Sequence, residues 1–162
     1  ATCYMARGGV LGTTVDKGGS PMNPPNGYGD FQVSLALLAG ICGALYRREK
    51  IGKGDKVTVS LQHAASFMLS VAMISAQYGN QYPKSRKEVV NPFNNCYRSK
   101  DGKWVVICCP EYDRDYDKIM TLLDIKDMLG NTKYTNCAQL NAGKLNHEVI
   151  DKLDEEIGRA HV

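Results

Sequence analysis

Gly27-Tyr28-Gly29-Asp30, then the apolar run Phe31–Lys50, then Ile51-Gly-Lys-Gly-Asp-Lys-Val-Thr-Val-Ser-Leu61, is the stretch on which the fold turns. The apolar run predicts a helix over Asp30–Arg48, and Gly52-Lys53-Gly54 supplies a turn. Val57 and Val59 alternating with Thr58 and Ser60 predict a strand over Lys56–Leu61. Apolar residues fall at Val33, Leu37, Ile41, Ala44 and Leu45 but also at Leu35, Leu38 and Cys42. A helix apolar nearly all round is expected to be buried. An aspartate directly before such a helix is ordinarily its N-cap, accepting backbone N–H bonds from the first turn. The same place suits a reactive carboxylate. A helix N-terminus stabilises the ionised oxygen and any negative charge developing beside it, and Gly27 and Gly29 leave room for a close approach. Local chemistry leaves both roles open.

Working outward, Cys3–Arg7 reads as helical, and Gly8–Gly29, rich in Gly, Pro and Asn, as an extended loop leading to the apolar helix. Ala64–Tyr78 is a second strongly apolar helix, stopped by Gly79. Past Tyr82 the polar run Pro83-Lys-Ser-Arg-Lys-Glu88 marks a crossing to a smaller domain, dividing 1–82 from 83–156. Cys96–Ser99 and Trp104–Cys109 read as strands joined through the Asp101-Gly102 pair, which favours a tight reversal. Asp113–Leu123 follows as an amphipathic helix with Tyr116, Ile119, Met120 and Leu123 on one face, and Leu145–Asp154 as the last helix. No internal repeat or low-complexity tract is present.

At 162 residues, 43% hydrophobic and 23% charged, the chain is ordinary for a globular protein, and no run of eighteen or more uncharged apolar residues marks a membrane span. A net charge of +3 with both signs interspersed is too weak for a nucleic-acid partner. Arg47, Arg48, Lys50, Lys53 and Lys56 gather where the first long helix ends, which suits its dipole and leaves phosphate binding as an alternative. Cys3, Cys42, Cys96, Cys108, Cys109 and Cys137 include no CxxC pair, so neither a zinc site nor a disulfide framework is expected. Cys42, Cys108 and Cys109 read as small buried hydrophobes of a reducing, cytoplasmic compartment, with no signal peptide at the start. His63 and His147 read as surface or packing residues rather than catalytic ones.

The order Gly-Asp, apolar helix ending Ala44-Leu45-Tyr46-Arg47-Arg48-Glu49-Lys50, Gly-Lys-Gly, then Val-Thr-Val-Ser-Leu resembles the class III CoA-transferase family, the carnitine/bile-acid CoA-transferase (CaiB/BaiF) superfamily. The resemblance is strongest from Ala6 to Leu61, moderate over Asn91–Cys109 and weak beyond. It implies an α/β fold fragment: part of a large nucleotide-binding-like domain, then part of a small α+β domain in which a hairpin precedes helices. Asn23-Pro-Pro-Asn-Gly-Tyr-Gly-Asp30 and Asn91-Pro-Phe-Asn-Asn-Cys-Tyr97 look most like the clostridial branch acting on 2-hydroxyacyl and aryl-lactate groups in amino-acid fermentation. Val89-Val-Asn-Pro-Phe-Asn-Asn95 stands where the oxalate/formate enzymes carry a glycine run, which argues against an oxalyl or formyl substrate.

The resemblance implies that Asp30 is a nucleophile in CoA transfer between an acyl-CoA and a carboxylic acid, through a mixed anhydride and an aspartyl-CoA thioester. Tyr28, Gly29, Asn94 and Asn95 become candidate substrate-binding residues, although asparagines beside a proline also serve as turn residues. Coenzyme A enters as substrate, with no bound metal or redox cofactor, and the complete enzyme is expected to be an interlocked homodimer without membrane or nucleic-acid partners. Two other readings stay open. The superfamily's 2-methylacyl-CoA racemases use an aspartate here for proton transfer, and a truncated piece would be non-catalytic. The family frame places Ala1 inside a helix, so this chain is expected to be an inactive internal slice. Ile157-Gly-Arg-Ala-His-Val162 reads like a translated sequencing adapter, so Ile157–Val162 is expected to make few packed contacts.

Overall fold

The computed structural model describes residues 2–160. Helices and one small sheet fall into two compact units, dividing between Lys84 and Ser85, two residues past the expected crossing.

The first unit is helical: α1 Thr2–Arg7, α2 Val10–Thr13, α3 Tyr28–Ile51, α4 Leu61–Met68 and α5 Ser70–Gln77. Its small core joins Met5, Val10 and Ala65, with Tyr4, Leu11 and Leu69 against them. Gly8 lets α1 close on α4, since a Cβ there would stand 2.5 Å from that of Ala65. Helix α3 begins after Gly27 and ends at Gly52, both left-handed at φ 78° and 70°, and the Gly52 N–H closes the last turn on the Arg48 carbonyl at 2.8 Å.

Four expectations for this unit are corrected. Val10–Thr13, within the stretch read as an extended loop, is the short helix α2. Lys56–Ser60 forms no strand: a lone extended segment finds no pairing partner among the described residues, and it returns beside α3, with Val57 over Gly40. The Ala64–Tyr78 helix is two helices, interrupted at Leu69 (φ −96°, ψ 11°). Helix α3 is not buried. Gly29 is its one buried residue, and Phe31, Leu35 and Tyr46 are 75%, 68% and 68% exposed. By length and composition α3 would also be long and apolar enough to cross a membrane.

The second unit has a stronger core. A 3-10 turn at Arg86–Glu88 leads to β1 Asn94–Arg98, which pairs antiparallel with β2 Trp104–Cys108 in the register Asn94↔Cys108 to Arg98↔Trp104. Gly102, at φ 83°, makes the reversal. Helices α6 Tyr112–Leu122, α7 Cys137–Ala142 and α8 Asn146–Ile157 complete it. Phe93 stacks on Tyr112 at a ring separation of 4.6 Å and Tyr116 meets both with its ring tilted, at 6.2 and 5.6 Å, within a core that takes in Tyr97, Met120, Leu140, Val149, Ile150 and Leu153. Arg86 and Lys87 both reach the Asp154 carboxylate, fixing the 3-10 turn to α8, and Asn146 Nδ2 donates to the Val89 and Val90 carbonyls at 3.0 Å.

Ile157 overturns part of the expectation for the chain's end. It closes α8 and is buried in the core at 5% exposure, and the Ala160 carbonyl accepts from the Lys100 N–H at 3.0 Å. An isoleucine in register with Ile150 and Leu153 continues the apolar face of α8 whatever its origin. His161 and Val162 lie outside the described residues.

Candidate active site

Pro24, Pro25 and Gly27 dictate how Asp30 is presented. The Tyr28 N–H donates to the Pro25 carbonyl at 3.2 Å, Gly27 takes the left-handed conformation, and the Phe31 N–H then opens the helix on the Gly27 carbonyl at 2.9 Å. Gly27 is therefore the N-cap, and Asp30 is the third residue of α3. The N-cap reading of Asp30 is corrected accordingly. Its carbonyl accepts from Ser34 Oγ at 2.7 Å, while its exposed carboxylate has no hydrogen-bond or ion-pair partner among the described residues. First-turn N–H groups lack acceptors within their helix, so an ionised oxygen here sits at the positive end of a 24-residue helix. A solvent-facing carboxylate at the positive end of a helix can attack an electrophile.

Tyr28 is half-exposed and Gly29 buried, on the same turn. Gly29 is a contact requirement rather than a hinge: a Cβ on it would land on the Tyr4 hydroxyl. That hydroxyl oxygen is inaccessible and has no hydrogen-bond partner among the described residues. Burial, then the neighbouring Asp30 and Tyr28 charges, raise the Tyr4 pKa above its ordinary value, so the phenol stays protonated. Nothing in Tyr4-Met5-Ala6-Arg7 signals this; only the packing of α1 on α3 exposes it.

Gln32, one turn further on, leaves Oε1 buried and unpartnered. It lines a cavity of about 400 Å³ with Leu35, Ser60, His63, Phe67 and Met68. His63 is exposed, and its backbone N–H donates to the Ser60 Oγ cap at 3.1 Å. His147, also exposed, lies in the first turn of α8, its Nδ1 3.0 Å from the Lys144 carbonyl.

Asn94 and Asn95 belong to the second unit, on β1. Asn95 is buried, its Nδ2 donating to the Arg86 carbonyl and its Oδ1 accepting from the Cys96 N–H, both at 2.9 Å. Those bonds occupy its amide. Asn94 is exposed on the outer face of the hairpin. The residue beside the proline, Asn91, makes the turn: Oδ1 accepts from the Phe93 N–H at 2.8 Å and Nδ2 donates to the Cys109 carbonyl at 3.0 Å. In the basic cluster Arg47 pairs with Asp55 and Arg48 with Glu49, and Lys50 lies over the Tyr46 ring. Cys42 and Cys108 are exposed rather than buried, each on a face left uncovered among the described residues, whereas Cys109 packs against the second core.

The family model described as CoA-transferase family III matches residues 2–161. The chain is 42% identical over 159 residues to a cinnamoyl-CoA:phenyllactate CoA-transferase of Clostridium sporogenes, covering 96% of this chain and 38% of that protein. It is 35% identical over 159 residues to an (R)-2-hydroxy-4-methylpentanoate CoA-transferase of Clostridioides difficile, covering 98% and 38%. It therefore spans well under half the length of either relative. A CAIB/BAIF family protein from Brucella suis has the same fold at a TM-score of 0.69 and 20% identity, over 98% of this chain and 41% of that one. Rv3272 of Mycobacterium tuberculosis has it at 0.74 and 18%, over 98% and 40%.

Proposed function

This chain belongs to CoA-transferase family III, and we propose that its full-length protein moves CoA from an acyl-CoA to a 2-hydroxy or aryl-lactate acid with Asp30 as the nucleophile. One observation carries the assignment of role: the exposed carboxylate of Asp30 at the N-terminal turn of α3, without a hydrogen-bond or ion-pair partner among the described residues and with Gly27 and Gly29 just before it. Asp30 attacks the donor thioester carbonyl, forming a mixed anhydride and expelling CoA thiolate. The thiolate adds to the aspartyl carbonyl of that anhydride, releasing the donor acid and leaving an aspartyl-CoA thioester. The acceptor carboxylate displaces thiolate from the thioester to give a second anhydride, which thiolate cleaves at the acyl carbon. Acyl-CoA leaves and the Asp30 carboxylate is restored, with no net gain or loss of water. Developing oxyanions lie within reach of the first-turn N–H dipoles.

The substrate preference rests on the two clostridial relatives, whose names specify phenyllactate and 2-hydroxy-4-methylpentanoate. Phe31, Leu35, Leu38 and Tyr46 of α3 are more than half exposed, so in the full-length protein this apolar face is covered by further polypeptide, from the same protein or a second copy in a homodimer. The enzyme is cytoplasmic, and the exposed apolar length of α3 is an internal contact rather than a membrane span. The test is trapping. Full-length protein given acyl-CoA and hydroxylamine acquires a hydroxamate on the peptide holding Asp30, read by mass spectrometry. Label on another peptide, or solvent exchange of the substrate α-proton without any trapped enzyme, is the result that overturns the assignment.

A further inference from the structure

Buried tyrosine hydroxyls elsewhere in the chain are satisfied. Tyr97 Oη donates to the Pro92 carbonyl at 2.6 Å, Tyr112 Oη to the Tyr134 carbonyl at 2.9 Å, and Tyr116 Oη to the Met128 carbonyl at 2.9 Å. Tyr4 breaks that pattern. Its Oη is as inaccessible as theirs yet has no acceptor among the described residues. A desolvated, unmatched donor destabilises the resting state and calls for a compensating role.

Its surroundings indicate the role. The hydroxyl occupies the space a side chain at position 29 would fill, so it lies against the turn that carries Asp30, and Gly29 is what admits it. The Asp30 carboxylate is exposed, has no hydrogen-bond or ion-pair partner among the described residues, and stands near enough to Tyr4 for its charge to act on the phenol. We infer that Tyr4 is a positioning residue for Asp30, its Oη–H donating to an oxygen of the aspartyl side chain once that side chain turns inward to carry the acyl group or CoA. The inference rests on Asp30 being the acyl-accepting carboxylate. A donor aimed at that oxygen would restrict the carboxylate to its attacking orientation and hold the anhydride and thioester carbonyls in place for the next thiolate or carboxylate. Because the phenol stays protonated, the donor is available throughout the neutral range.

The experiment compares wild type with Tyr4→Phe in the full-length protein, using turnover, hydroxylamine trapping and thermal unfolding together. The ring is kept, and a hydroxyl without an acceptor is removed, so Tm should hold or rise. Over the same substitution kcat should fall by about tenfold or more, the scale of one lost hydrogen bond in the transition state, with KM for acyl-CoA little changed and hydroxamate still on Asp30. Gly29→Ala, which drives a methyl group onto the hydroxyl, should reproduce the fall in kcat while lowering Tm. Unchanged kcat in Tyr4→Phe overturns the inference, and so does a Tm loss, which would make the hydroxyl structural. Failure of the underlying reading looks different: wild type itself would carry no label on Asp30, and the inference about Tyr4 would fall with it.

Discussion

At Asp30, helix geometry and chemistry come apart. Gly27 takes the capping position with its positive φ, and the Asp30 carboxylate, no longer the cap, has no hydrogen-bond or ion-pair partner among the described residues. What remains is a charge–dipole interaction at an exposed first turn, worth under about 1 kcal/mol. Asp30→Asn in the full-length protein should therefore abolish transfer with Tm unchanged, since an amide is a far poorer nucleophile. Asp30→Ala should likewise unfold within a few degrees of wild type, because no cap is lost. Transfer surviving in Asp30→Asn would refute covalent catalysis here, and a large Tm loss in Asp30→Ala would show a structural bond at this carboxylate. The sequence Gly-Tyr-Gly-Asp announced a carboxylate at a helix start, but whether Gly27 or Asp30 caps it depends on backbone dihedrals that residue identity leaves open. Tyr4 was illegible for a stronger reason: its meaning lies in a contact between α1 and α3, and no pattern along the chain encodes it.

Among elements, the legible ones were those whose signal is local. The hairpin follows from an Asp-Gly turn between two strand-like segments, and α6 from Tyr116, Ile119, Met120 and Leu123 at helical spacing; both stand within two residues of expectation. Helix α7 was missed because six residues hold too little periodicity, although Asn136 caps it, accepting from the Gln139 N–H at 2.9 Å. The strand expected over Lys56–Leu61 does not form because a strand needs a partner that no local pattern supplies. The second unit also has a built-in alkaline limit. Burial raises the pKa of Tyr97, Tyr112 and Tyr116 above the ordinary value of 10.0, and hydrogen bonds to Asp151 and Asp154 outweigh desolvation in raising that of Lys87 above 10.5. Each group keeps its proton in the folded chain after the unfolded chain has released it. Stability from these groups is thus complete below about pH 10 and is lost as pH rises further. Circular dichroism should report unfolding above about pH 10, with the last part of the tyrosinate absorbance appearing in the same transition. Full tyrosine ionisation while helicity persists would contradict the burial of these rings.

The two units of the molecule differ in how much of their own apolar surface they cover. The second gathers Phe93, Tyr97, three helices and Ile157 around one core and ties its entry turn to α8 through Asp154. The first has a core of three buried residues, Met5, Val10 and Ala65, none of them on the 24-residue helix α3, whose Phe31, Leu35, Leu38 and Tyr46 are all more than half exposed. Exposed apolar area on that scale is not sustained in water by an isolated unit, which goes without the roughly 25 cal/mol that burying each Å² would contribute. Residues 85–160 expressed alone should therefore unfold cooperatively on heating, with a circular-dichroism spectrum of mixed helix and hairpin. Residues 1–84 alone should bind a hydrophobic dye and show no cooperative transition, because the cover for α3 is elsewhere. In the full-length protein the dye signal should vanish as that cover arrives. A cooperative, dye-silent 1–84 would mean that α3 finds its partners within the first unit, and the need for further polypeptide or a second copy around Asp30 would go with it.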